Sequence, residues 1–178
     1  NGEKTNIDEI RPELAEAIER HRITRDEARP EVLEKRHARN QRTIRENIAD
    51  LLDPTGTIEY GSLALAAQRQ RIPMEELIRK TPADGLVAEV GSVNGNLFEA
   101  SKSRCMVIGY DYTVLAGTQG FFNHRKKDRM LQLACKWRIP VVLFAEGGGG
   151  RPGDVDMANV VVAGLDLMSF TYFARLSG

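Results

Sequence analysis

Surplus charge is missing from this chain. Its 178 residues hold 25 Lys and Arg against 25 Asp and Glu, so there is no molecule-wide basic field of the kind that draws a protein to nucleic acid. Any anion it binds has to be held locally. Cysteine is scarce as well. Cys105 and Cys135 are too few for a disulfide framework and lack the paired spacing of a metal site, so both read as core thiols in a reducing compartment. No apolar run approaches the roughly 20 residues needed to cross a bilayer. The opening residues, NGEKTNIDEI, lack the basic and apolar regions of a signal peptide. The expectation is a cytoplasmic chain with neither nucleic acid nor a membrane as partner. Side-chain catalysis is poorly provided for: His21, His37 and His124 show no partner spacing for a metal, and no G-x-S-x-G marks a nucleophile. Internal repeats and low-complexity segments are absent too.

What is present fits one globular domain, because 42% hydrophobic residues over this length can build a core. Residues 8–22 and 26–52 are rich in Glu, Arg, Ala and Leu with acidic residues near each start, which predicts two helices. Ile44, Ile48, Leu51 and Leu52 share one helical face, whereas the earlier stretch is too polar to bury deeply. Residues 1–53 therefore read as a helical arm lying on something else. Asp53-Pro54-Thr55-Gly56 ends it with a turn, and Ile58-Glu59-Tyr60 begins a short extended segment. Further on, TPADGLVAEVGSVNGNLFEAS (81–101) has β-type runs around Asn94-Gly95, the signature of a tight hairpin. Residues 105–110 (CMVIGY) form the next strand. After the loop 111–120, FFNHRKKDRMLQLACKWR predicts a helix that turns Met130, Leu133, Ala134 and Trp137 inward. Pro140 ends it, and 141–145 form a buried strand. Strand, helix and strand in this order define a layered α/β arrangement. The last segment carries an apolar run at 160–163 and turns helical toward Leu176.

Two features carry the chemistry. The first is FAEGGGGRPGD (144–154), four consecutive glycines directly after an apolar strand. Glycine loses more entropy on folding than any other residue, so something has to approach the bare backbone there: a phosphate, an acyl oxyanion, or merely a tight turn. The Lys-Ser/Thr of a P-loop is absent, and a G-x-G-x-x-G spacing arises only because glycines are so many. The sharper reading is a backbone amide site for a developing oxyanion. The second feature is a run of cations, Arg125, Lys126, Lys127, Arg129, Lys136 and Arg138, against the single acid Asp128. Such a run is commonly a solvated helix face. Its first half, with His124, crowds a helix N-terminus where the dipole is already positive, and a bound poly-phosphorylated anion would offset that cost. Asp154 and Asp156 read as a helix cap or loop residues.

Three stretches, in order, resemble the carboxyltransferase component of biotin-dependent acyl-CoA carboxylases. RTIRENIADLLDPTGTIEYGSL (42–63) is similar to the segment in which a helix ends in Leu-Leu-Asp-Pro-Gly before a short strand. DGLVAEVGSVNGNLFEA with VIGYDYTVLAGTQG (84–120) resembles paired strands and an Asp-Phe-Thr-Val-x-Gly-Gly-Ser-x-Gly loop. PVVLFAEGGGGRPGD (140–154) resembles a strand and Gly-Gly-Ala-Arg turn. Ala116-Gly117-Thr118 replaces Gly-Gly-Ser, Gly150 replaces a frequent alanine, and Pro152-Gly153-Asp154 replaces Ile-Gln-Glu. NHRKKDRML with GGGGRPGD looks closer to carboxylases that fuse several modules in one chain.

The resemblance implies a crotonase-like α/β fold of β-β-α units, incomplete at the C-terminus and preceded by the helical arm. Residues 54–178 would then be the N-terminal part of the carboxyltransferase domain. It implies transfer of a carboxyl group from carboxybiotin, carried on a separate carrier domain, to the α-carbon of an acyl-CoA. Gly148 and Gly149 become backbone oxyanion donors. Arg125, Lys126, Lys127, Gly117, Gly120 and Arg151 become acyl-CoA contacts, and no metal is implied. Implied partners are acyl-CoA, biotin carboxyl carrier and biotin carboxylase modules, the remaining half of the carboxyltransferase and further copies of the chain. A chain lacking the second oxyanion turn and that other half is expected to be inactive alone. A non-catalytic CoA-binding or assembly module and a crotonase-like acyl-CoA hydrolase or isomerase are the alternatives.

Overall fold

The computed structural model describes residues 10–157 and 167–177. Its first helix, α1 (Pro12–Ile23), buries no side chain fully, as its polar sequence requires. The long helix expected over 26–52 is broken into a short 3-10 turn at 26–28, α2 (Pro30–His37) and α3 (Ile44–Leu51). Two local signals account for the break. Pro30 stands in the first turn of α2, where a missing N–H costs nothing. Thr43 and Glu46 form a capping box: Glu46 N donates to Thr43 Oγ1 at 3.1 Å and Thr43 N to Glu46 Oε2 at 2.7 Å. That T-x-x-E signature is visible in the sequence and marks a new helix start.

After α3 come β1 (Ile58–Glu59), α4 (Met74–Lys80), β2 (Leu86–Ser92), α5 (Ala100–Ser103), β3 (Arg104–Tyr110), α6 (Phe121–Trp137), β4 (Val141–Phe144) and α7 (Ser169–Leu176). Among the described residues the strands form one sheet in the order β1-β2-β3-β4. β2 and β3 run antiparallel with Leu86 opposite Tyr110 and Ser92 opposite Arg104, and β4 runs parallel to β3 with Met106 opposite Val141. The connection between β2 and β3 is not the two-residue hairpin that Asn94-Gly95 predicts. Asn94 does adopt a left-handed φ of 54°, yet the pair opens a wide loop over 93–103, and Gly95 N–H donates to Asp53 Oδ2 at 2.8 Å.

The sheet is covered on both faces because its strands alternate. Leu86, Ala88, Met106, Ile108 and Tyr110 face Met130, Leu131, Leu133 and Ala134 of α6. Val87, Cys105 and Val107 face Ile44, Ile48 and Leu52 at α3, as period two demands. The part of the arm that buries deeply is thus α3. Glu59 at β1 is held by both Nη atoms of Arg45 at 2.9 and 3.0 Å. Burial works to raise the Glu59 pKa, but the bonds to Arg45 carry it below the usual carboxylate range.

Three expectations need correction. Trp137 is not turned inward but 46% exposed, since it is the last residue of α6 and overhangs the sheet end beside Ser101 and Arg104. Cys105 is buried, but Cys135 is only half-buried, its thiol directed at Tyr172 O. The strand at 141–145 is half-buried and ends at Phe144, being outermost in the sheet. Near the C-terminus, α7 agrees with the helical expectation; Tyr172, Phe173 and Leu176 pack on the α6 side of the core while Phe170 is 82% exposed. The apolar run at 160–163 lies outside the described residues. No helix among those described is long and apolar enough to cross a membrane.

Candidate active site

Strands β3 and β4 lie side by side and parallel, so the loops that leave them emerge together. Loop 111–120 and the glycine turn after β4 are zipped by Gly148 N–H to Ala116 O at 3.2 Å, Gln119 N–H to Gly149 O at 2.7 Å and Arg151 N–H to Gln119 O at 2.9 Å. This contact explains part of the glycine requirement. At Gly117 (φ 65°) an added Cβ would sit 2.8 Å from Gly147 Cα, and at Gly147 it would sit 2.7 Å from Gly117 carbonyl carbon. The two loops therefore touch backbone to backbone. Gly149 is different: its φ is 81° and an added Cβ would meet nothing within 4 Å. It faces open space.

Of the two expected oxyanion donors, Gly148 has its N–H committed to Ala116 O. The Gly149 N–H meets no acceptor among the described residues, and glycine keeps its approach unhindered.

The start of α6 departs from expectation. Its first-turn N–H groups are capped by the protein's own acids: Phe121 N–H donates to Asp154 Oδ2 at 2.9 Å and Asn123 N–H to Asp84 Oδ2 at 2.7 Å. Two carboxylates thus complement the positive helix end, and Asp154 is a helix cap from 33 residues away. Gly120 is the N-cap residue, packed so closely on Asp154 and Arg151 that any side chain would collide.

The expected CoA-contacting cations also separate. Arg125 is exposed, stacked 5.3 Å from the Phe121 ring. Lys126 is turned inside: its ammonium donates to Gly61 O at 3.0 Å, to Ala83 O at 3.5 Å and closely to Leu86 O. Burial pulls its pKa down to about 8. Lys127 donates to Gln119 Oε1 at 2.6 Å and Tyr110 Oη at 3.1 Å, and burial lowers its pKa too. Helical spacing places 122, 125, 129, 132 and 136 outward and 126, 127 and 130 inward; residue type alone does not reveal it.

Arg151 lies beneath the loops. Its guanidinium pairs closely with Asp84, donates to Thr118 O at 2.7 Å and stands 3.5 Å from Asp154. Asp84, fully buried, has its pKa raised by burial, with Arg151 pulling against it. Sequence reasoning singled out neither Asp84 nor Glu146, which receives both Nη atoms of Arg36 at 2.7 and 2.8 Å. Separations of 67 and 110 residues leave no spacing signal for these pairs.

One expected result arises directly. Replacing Lys126 by methionine strips three carbonyls, two of them buried, of their donor and should cost about 1–3 kcal/mol. The loss should depend on pH. Lys126 is charged in both states below about 8, where its burial carries the full penalty. Between about 8 and the ordinary 10.5 the folded form sheds its proton first, so wild-type stability relative to Lys126→Met rises across that window. Urea midpoints of both proteins at pH 7.5 and pH 10 check this; equal differences at the two pH values would contradict it.

An antiparallel strand pair, a covering helix and a parallel return strand, with glycine-rich turns at the strand ends, make the β-β-α unit of a crotonase-like fold. Residues 35–170 match the carboxyl transferase domain family, and the chain belongs to it. It is 30% identical over 139 residues to the biotin-dependent acetyl-/propionyl-coenzyme A carboxylase beta5 subunit of Mycobacterium tuberculosis, covering 78% of this chain and 23% of that one. A single-chain, multi-domain long-chain acyl-CoA carboxylase is similar with a TM-score of 0.85 and 54% identity, over 94% of this chain and 16% of its own. Transcarboxylase 12S, solved with methylmalonyl-coenzyme A bound, shares the fold at a TM-score of 0.63 and 22% identity, over 92% of this chain and 28% of its own. The chain spans less than a third of the length of each.

Proposed function

We propose that this chain supplies the acyl-CoA side of a biotin-dependent carboxyl transfer. Residues 54–178 would act as the N-terminal part of the carboxyltransferase domain and 1–53 as the arm that braces it. The observation that carries this is the Gly149 N–H, left without an acceptor among the described residues on an open glycine turn that is locked to its neighbour loop. A thioester oxygen placed there gains a preorganised donor as negative charge develops on it, which lowers the barrier to enolate formation. The nearby side chains are already engaged: Glu146 with Arg36, Arg151 with Asp84 and Thr118. They hold the turn rather than move a proton. Carboxybiotin, on a separate carrier domain, would supply the carboxyl group and the acceptor for the α-proton. The α-carbon would give its proton to the biotin nitrogen that the carboxyl group leaves, so that the nitrogen–carbon bond broken is replaced by the new carbon–carbon bond.

The 54% identity to a single-chain long-chain acyl-CoA carboxylase supports carrier and biotin carboxylase modules on the same polypeptide and makes a long-chain acyl-CoA the first substrate to assay. Transcarboxylase 12S assembles as a hexamer, which supports a homo-oligomer here, with the remaining half of the carboxyltransferase facing this turn. A cytoplasmic location fits this chemistry.

With Lys126 and Lys127 turned inward, Arg125 is the residue of the trio that we assign to the coenzyme A phosphates. Arg125→Glu in the complete enzyme should raise the KM for acyl-CoA about 10-fold or more, the worth of a charge-assisted bond, with kcat nearly unchanged. A pantetheine thioester lacking the nucleotide phosphates should be indifferent to the substitution. Equal losses for both substrates would remove Arg125 from phosphate recognition.

A further inference from the structure

Two arginines of the arm reach the two site loops from one side. Arg29 directly precedes α2 and Arg36 lies in its last turn, seven residues on, which is two helical turns and one face. Arg29 donates through Nη1 to Thr113 Oγ1 at 3.0 Å and through Nη2 to Asp111 Oδ2 at 3.1 Å, at the root of loop 111–120. Arg36 forks onto Glu146, the residue before the glycines, and its guanidinium carbon lies 5.7 Å from the centre of the Tyr112 ring in the other loop. Its remaining donors are fixed by Arg42 O and Gln41 Oε1. Both arginine side chains are nearly buried, 11% and 9% exposed.

Four glycines in a row have the greatest freedom a chain can have, so their position has to be imposed from outside the turn. A bidentate arginine–carboxylate pair fixes direction as well as distance. We propose that Arg36, assisted by Arg29, is a positioning residue: it clamps the glycine turn and loop 111–120 in the register that aims the Gly149 N–H at the thioester oxygen. This rests on the reading of the turn as the oxyanion site. A displacement of about 1 Å at such a site is enough for a 10²-fold loss of rate.

The test uses the complete enzyme with Arg36→Met, Arg36→Lys, Glu146→Gln and the pair Arg36→Met/Glu146→Gln. Arg36→Met and Glu146→Gln should each lower kcat about 10²-fold with the KM for acyl-CoA little changed. The double variant should lose no more than Arg36→Met alone, as expected of two groups acting as one unit. Arg36→Lys, which keeps the charge but not the fork, should fall between. Amide exchange over 115–119 and 145–150 should accelerate while that of α6 stays as in wild type. Unchanged exchange in the loops, or losses that multiply in the double variant, overturns the clamp and leaves the oxyanion reading standing. Faster loop exchange with normal turnover overturns the positioning role; a Gly149→Val enzyme of normal turnover would then place the failure in the oxyanion reading itself.

Discussion

Gly149→Val in the complete enzyme should cut turnover by about two to three decades, because a β-branched side chain covers the N–H or turns it aside, at the cost of one oxyanion donor, about 2.7–4 kcal/mol of barrier. Valine at this position has two effects that need separating. Its φ of 81° lies in the left-handed region, where a β-branched residue strains the backbone by about 1–3 kcal/mol. The chain contains its own control: Gly56 has a φ of 80° and equally open surroundings but sits in the turn after α3, away from the paired loops. Gly56→Val should lose comparable stability and keep its turnover. If Gly149→Val and Gly56→Val carry the same activity, the glycine turn is only a turn.

Asp84→Asn should destabilise the domain by about 1.5–3 kcal/mol, the worth of a buried charge-assisted bond, because Arg151 keeps only Asp154, 3.5 Å away, as its counter-charge. Asparagine keeps the shape and tolerates the left-handed φ of 50° found there, so the change isolates charge. Asp84 is fully buried and Arg151 has a side chain only 3% exposed. Their pair also joins three parts of the site: Asp84 caps α6 through Asn123 N–H, and Arg151 holds Thr118 O. Adding Arg151→Met to Asp84→Asn should recover only part of the stability, because removing the guanidinium leaves the buried Asp154 without its counter-charge, and none of the turnover, because loop 111–120 has lost its brace. Denaturation midpoints and amide exchange of α6 measure the first effect and initial rates the second. A single Asp84→Asn enzyme within about 1 kcal/mol of wild type would sink the hub role.

Elements that depend on local pattern, and the family that depends on ordered motifs, are legible in the amino-acid order alone. The strand at 105–110, the helix over 121–137 and the glycine turn after 141–144 all lie where local composition puts them, although Trp137 faces out, and the resemblance of 42–63, 84–120 and 140–154 agrees with membership in the carboxyl transferase domain family. The break at Thr43-x-x-Glu46 was also written locally, as a capping box inside an otherwise uniform helical composition. How the charges divide is set by packing. Arg125, Lys126 and Lys127 are equivalent as letters, but 100° per residue sends one to solvent and two into the protein, where carbonyls and Gln119 wait at positions up to 65 residues away. Likewise Gly147 and Gly149 look alike in GGGG. Only the docking of loop 111–120 against the turn shows that the first is pressed against Gly117 and the second is open. Long-range pairs such as Arg36–Glu146 and Asp84–Arg151 leave no mark in spacing, because Arg36 on α2 and Asp84 just before β2 reach the turn after β4 only when the arm and the strands pack together.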